Sequence, residues 1–287
     1  MQEIALYVVS GRVAAVRGSV ALVVGEPLSR VFSEDPLFAL VSRSVSRELG
    51  HVDRQVVLML GTGPDSSARI ERYVAGGHVD GVMLVSMHDT DPLPGAIDRI
   101  GVPVVSYGRP AAPCPIGYAD SDNPSGARLA VNHLLNRGRR KIATIAGPPD
   151  MIAGQDRLTG YHGSMADAGQ PPCVVFGDFT RHSGAEAMAR LLRTDPDVDA
   201  VFAANDLMAI GALQTLRRAG RRVPDDVAVA GYDDFEAARF THPPLTTVRH
   251  PVAEQVGAMT RLLVDRMGGG PLASIVLPAE LVIREST

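Results

Sequence analysis

At 287 residues the chain can hold two domains of ordinary size or one large one. With 45% apolar residues, 21% charged residues and no run of eighteen apolar positions, it reads as a globular chain, neither membrane-spanning nor disordered. A net charge of -4 excludes a chain whose main task is gripping phosphates, since nucleic-acid affinity rests on basic side chains that displace counterions.

The first two dozen residues are apolar in stretches, but Arg12 and Arg17 interrupt them and no basic start precedes them, unlike a secretory signal. Short β-branched runs then predict strands at 20–24, 56–60, 81–85 and 102–106, with a weaker one at 116–118. Helical periodicity falls between them at 36–49, 66–76 and 93–100. A long helix at 124–137 leads into a second series, with strands at 142–146, 174–176, 200–204 and 227–231 and helices at 155–168, 183–192 and 206–219. After it come an extended run at 246–248, a helix at 252–267 and a final extended run at 274–284. Strands alternating with helices in two successive series predict an α/β chain of two doubly wound parallel-sheet lobes. Residues 19–137 plus 251–269 are assigned to the first lobe, 138–250 plus 270–287 to the second, and 1–18 to neither. Chain crossings side by side would form a hinge that lets the lobes close.

In open α/β sheets, ligands bind beyond the carboxyl ends of the strands, which singles out two pairs of residues. Asn205 follows a strand and either meets a ligand hydroxyl or shapes the turn, while Asp206 is placed to cap a helix starting at Leu207. Asp233 and Asp234 also follow a strand, so at least one carboxylate should face the interlobe cleft, accepting from sugar hydroxyls or pairing with an amine. Arg157 taken alone is a surface arginine on a solvated helix. Cys114 and Cys173 are far apart and lack a Cys-x-x-Cys spacing, which fits a reducing cytoplasm and argues against a zinc site or disulfide framework. No Gly-x-Ser-x-Gly elbow, phosphate loop, His-Glu-x-x-His or dinucleotide glycine motif is present, so no catalytic residue, metal or cofactor is expected.

From about Ser19 to Thr287 the chain resembles the effector-binding core of the lactose-repressor/galactose-repressor family. The resemblance is collinear through Arg139-Arg-Lys-Ile-Ala143, Ala203-Ala-Asn-Asp-Leu-Met208, Val223-Pro-Asp-Asp-Val227, Gly231-Tyr-Asp-Asp234, Pro244-Leu-Thr-Thr-Val-Arg249 and Leu281-Val-Ile-Arg-Glu-Ser286. It implies the type I periplasmic-binding-protein fold and a small polar effector, most often a sugar, sometimes a purine or nucleoside. It also implies a homodimer that meets operator DNA through a helix-turn-helix headpiece, of which 1–18 shows no sign. Among residues, it implies that Asp233 contacts the effector while Asp234 holds the loop, that Arg157 reaches into the pocket, and that Phe179 packs on the effector's flat face. Phe38, in Asp35-Pro-Leu-Phe38, resembles the family's aromatic at the start of the first helix, with a plain core position as the alternative. Gly108 departs from the family, which commonly carries an acid there, so one acceptor is expected to be missing. A transporter's solute-binding protein shares this fold and is the other reading; the close match at Pro244 to Arg249 favours the regulator.

Overall fold

In the computed structural model the described residues are 18–32, 35–111 and 114–287. The chain runs β1 (Ser19–Val24), α1 (Leu28–Val31), α2 (Pro36–Gly50), β2 (Gln55–Leu60), α3 (Pro64–Ala75), β3 (Gly81–Val85), α4 (Leu93–Ile100), β4 (Val104–Tyr107) and β5 (Gly117–Ser121). It continues through α5 (Asn123–Asn136), β6 (Ile142–Ala146), α6 (Ile152–Asp167), β7 (Cys173–Phe176), α7 (Arg181–Thr194), β8 (Ala200–Ala203), α8 (Asp206–Arg218) and β9 (Ala228–Asp233). A 3₁₀ turn (Glu236–Phe240), β10 (Thr246–Arg249), α9 (Val252–Met267), β11 (Ser274–Leu277) and β12 (Glu280–Val282) complete it.

Near-continuous apolar strands covered on both faces need helices above and below, and both sheets have them. The first sheet has the order β11-β5-β4-β3-β1-β2, the second β12-β10-β9-β8-β6-β7, and every pairing except β10 with β12 is parallel. One face of the first sheet buries α2 and α9 through Val41, Val45, Val256 and Met259, the other α3 and α4 through Ile70, Val74 and Ile97. In the second lobe α7 and α8 cover one face through Met188, Leu191 and Leu216, and α5 and α6 the other. Each such fully buried aliphatic side chain contributes about 1.5–3 kcal/mol.

Two assignments made from the sequence need correction. The α5 helix was expected to close the first lobe, yet Ala127, Val131 and Leu134 are buried with Ile142, Tyr161 and Phe202 of the second. Glycine permits this packing: a Cβ on Gly160 of α6 would stand 2.3 Å from the Pro124 carbonyl oxygen. The first crossing therefore falls between Ser121 and Asn123, where no glycine or charge run marks it in the sequence. The closing extended run is also divided. β11 extends the first sheet beside β5 whereas β12 pairs antiparallel with β10, so 270–287 does not belong wholly to the second lobe. The lobes are thus joined at 121–123, 249–252 and 277–280. The first and third crossings touch, the Asp122 amide donating to the Leu277 carbonyl at 2.8 Å. Apart from Gly18, the segment 1–18 lies outside the described residues.

Candidate functional site

Both sheets point the carboxyl ends of their strands at the space between the lobes, where loops after β1, β3, β4, β6, β8 and β9 enclose a cavity of about 110 Å³. Arg157, Asn205, Asp233, Phe179 and Phe38 all line it.

Arg157 sits in the first turns of α6, 4% exposed, and not on a solvated face. Its Nε donates to Asn123 Oδ1 at 2.9 Å and its Nη1 to the Ala204 carbonyl at 2.6 Å and, more weakly, to Asp233 Oδ1 at 3.4 Å. The guanidinium lies 3.7 Å from the centre of the Tyr232 ring, stacked against its face. Its Nη2 has no hydrogen-bond partner among the described residues, leaving a fixed donor at the cavity wall.

Asp233 ends β9 at φ 117°, and Asp234 follows at φ 56°, both in a region that side chains other than glycine seldom occupy. Such a backbone costs about 1–3 kcal/mol per residue and persists only where the surroundings hold it. Here Arg284 and Arg249 both donate to Asp234, the latter at 3.2 Å, and the His250 amide donates to the Asp233 carbonyl at 3.2 Å. Asp234 thus braces the loop and Asp233 is left to face the cavity.

Asn205 is the N-cap of α8. Its Oδ1 accepts from the Met208 amide at 2.9 Å and its Nδ2 donates to the Phe179 carbonyl at 2.9 Å. Asn205 therefore shapes the turn and lines the cavity, with both polar atoms of its side chain engaged by the protein. Asp206, expected to cap a helix beginning at Leu207, is instead the first residue of α8 and is wholly buried. It accepts from Thr247 Oγ1 at 2.5 Å and from the Phe235 amide at 2.9 Å. Burial, reinforced by the Asp233 charge, holds its carboxyl far above the usual carboxylate range.

Phe179 also has a left-handed backbone, φ 68°, fixed by the Asn205 amide group. Its ring lies flush on Gly147, where a Cβ would come within 2.3 Å of Cζ. Phe38, 3% exposed on α2, belongs at once to the first-lobe core and to the cavity lining.

Sequence reasoning missed several lining groups. Asp35 caps α2 by accepting from the Leu37 amide at 3.0 Å. Burial pushes its pKa up to about 6 against the lowering effect of that amide, and the Asp233 charge pushes the same way. The Asp-Pro pair before a helix is its visible signal. Asp120 lay beyond the predicted end of a strand that proves longer. It accepts from the Arg109 amide at 2.9 Å, and burial, opposed by the Arg109 and Ser121 amides, raises its pKa. Its Oδ1 lies 3.9 Å from where a Cβ on Gly108 would stand and accepts from the Ser121 amide at 2.8 Å and the Asn123 side-chain amide at 3.1 Å. At the hinge, His250 Nδ1 stands 3.6 Å from Asp233 Oδ1 and its Nε2 lies 3.1 Å from the Tyr107 hydroxyl and 2.7 Å from Gln255 Oε1. Gln255 in turn donates to the Ala119 carbonyl at 2.8 Å, so one polar chain runs from β9 of the second lobe to β5 of the first. Nothing in the sequence places these groups together.

Three carboxylates, two guanidinium groups and the aromatic rings of Phe38, Phe179 and Tyr107 make a lining that offers acceptors, donors held in place and apolar faces for a ring. Two parallel-sheet lobes hinged at three crossings around such a cavity define a sensor core of the periplasmic-binding-protein type. The family of periplasmic binding protein-like domains matches residues 131–287. A transcriptional regulator, CelR of Thermobifida fusca, is 46% identical over 275 residues, 93% of this chain and 81% of that protein. The transcriptional repressor CytR of Escherichia coli K12 is 30% identical over 263 residues, covering 88% and 76%. A solved complex of CelR with cellobiose superposes with a TM-score of 0.90 at 45% identity, covering 96% of this chain and 86% of that one. The chain belongs to the lactose-repressor/galactose-repressor family of transcriptional regulators and forms its effector-sensing core, which sets aside the solute-binding reading. No helix among the described residues is long and apolar enough to cross a membrane, and none of their His, Cys, Asp and Glu side chains group in a way that could hold a metal.

Proposed function

We propose that the chain senses a short β-linked glucose saccharide of the cellobiose type, bound between the lobes. The observation that carries the reading is the cavity lining, in which Asp233, Asp120 and Asp35 offer acceptors to adjacent hydroxyls while Phe38 and Phe179 offer faces to a pyranose ring. The likeness to CelR, solved with cellobiose, supports it. In this reading Arg157 donates through Nη2, and Asn205 acts chiefly by holding Phe179.

The protein works in the cytoplasm as a homodimer and catalyses nothing. Ligand selects one interlobe angle, and that angle sets the spacing of two helix-turn-helix domains on operator DNA, which links the affinities for ligand and operator reciprocally. A preference of about 10⁴ for one angle, about 5.5 kcal/mol, would switch the population almost fully.

Calorimetric titration of the chain with cellobiose, ribose and cytidine tests the assignment. Saturating cellobiose should raise thermal stability by mass action, by about 4 kcal/mol at a thousandfold excess over Kd, and Asp233→Ala should abolish the effect. Binding of ribose or cytidine without cellobiose, or an unchanged affinity in Asp233→Ala, would overturn it.

A further inference from the structure

A second groove of about 550 Å³ adjoins the cavity, and Arg30, Asp35 and Phe179 line both spaces. Its far wall is α8, which presents Leu207, Gln214 and Arg218. Positions seven and eleven residues apart fall on one helix face, so these three form a stripe leading away from the cavity.

The wall is rigid. The α7 and α8 backbones touch through glycine: a Cβ on Gly184 would come within 2.3 Å of the Met208 carbonyl oxygen, and one on Gly211 within 2.1 Å of the Arg181 carbonyl oxygen. On this fixed wall Gln214 and Arg218 are exposed and make no side-chain hydrogen bond or ion pair among the described residues. Leu207, 8% exposed, gives an apolar floor beside them. Donors next to an apolar floor match a sugar ring, whose hydroxyl edge and C–H face need both. Asp35 is the one carboxylate among the groove's described lining residues, beside Arg30, Arg181 and Arg218, and the side-chain donors of Gln214 and Arg218 suit the hydroxyl oxygens of a saccharide.

We infer that this groove is a second saccharide subsite, receiving the glucose units that follow those held in the cavity, so that the sensor takes a linear cello-oligosaccharide and not only a disaccharide. The inference rests on the reading of the cavity as a cello-saccharide site. The chain exits past Phe179, lies over Leu207, and its hydroxyls accept from Arg218 and exchange hydrogen bonds with the Gln214 amide.

Calorimetry of the whole chain with cellobiose, cellotriose and cellotetraose tests it, using the wild type, Gln214→Ala, Arg218→Ala and the double variant. Cellotriose or cellotetraose should bind at least tenfold more tightly than cellobiose. Each single variant should reduce that gain about threefold or more and the double variant should erase it, with cellobiose affinity and melting temperature unchanged. Longer saccharides that bind no better than cellobiose, or a gain that survives in the double variant, overturn the subsite and leave the cavity assignment standing. If no cello-saccharide binds, the cavity assignment falls and the subsite with it.

Discussion

His88 spans the mouth of the cleft between two carboxylates from different lobes, and its titration gives a quantitative test of how the lobes are held. Its Nε2 stands 3.7 Å from Glu26 Oε1 in the first lobe and its Nδ1 2.7 Å from Asp150 Oδ2 in the second. The adjacent Asp89 amide donates to the Asp150 carbonyl at 2.9 Å. The Glu26 carboxylate, 2% exposed, and then Asp150 raise the His88 pKa from 6.5 to about 9 against the opposing effect of burial. A pKa raised on folding means that the native state holds the proton more tightly, so the stabilisation is complete below pH 6.5, declines as pH rises and is gone above about 9. At about 1.4 kcal/mol per pH unit the rise in full would be worth about 3 kcal/mol, and solvent screening around the part-exposed ring and the Asp150 carboxylate reduces it to about 1–2 kcal/mol. Ring NMR titration of His88 should place its midpoint near 9. Urea melts at pH 6 and 9.5 should show the wild type losing about 1–2 kcal/mol more than His88→Gln. Glu26→Gln and Asp150→Asn should each bring the midpoint down, and Asp150→Asn should also weaken lobe closure. A His88 midpoint near 6.5 in the native protein, or equal pH dependence in wild type and His88→Gln, would refute the reasoning.

Arg157→Met leaves Asp233 buried without its guanidinium and strips a donor from the Ala204 carbonyl. Urea denaturation should show a loss of about 3–5 kcal/mol, partly restored when Asp233→Asn is added. Gly211→Ala drives a methyl against the Arg181 carbonyl and should cost about 1–3 kcal/mol or more, read as a lower melting temperature. Asp35 ionises through about pH 6. Where a ligand hydroxyl donates to it, affinity should rise as pH passes upward through that value, and in Asp35→Asn calorimetry should find the dependence flattened.

The sheets were legible because their strands are short apolar runs between amphipathic helices, a pattern set by local burial. The cavity was legible where it sits at strand ends, as with Asp233 and Asn205, or where family resemblance pointed, as with Arg157 and Phe179. What stayed hidden depends on long-range packing. The α5 helix looks the same whichever lobe receives it, and its packing on Tyr161, Phe202 and Tyr232, with Gly160 close against Pro124, decides. Asp120, His250 and Gln255 meet across 135 residues of chain, and no periodicity encodes a contact between a strand end and a hinge.

The late crossings also bear on how the molecule is made. The first sheet stays unfinished until α9 and β11 have been synthesised, since Val256, Met259 and Leu263 seal the face that α2 alone leaves open and β11 covers the free edge of β5. A ribosome releases these pieces only after all of the second lobe but β12 and the closing residues has emerged, so the amino-terminal lobe cannot mature first. Premature termination before Leu277 would therefore damage the amino-terminal half, exposing a sheet edge and an apolar face on a chain whose other lobe had already acquired most of its core.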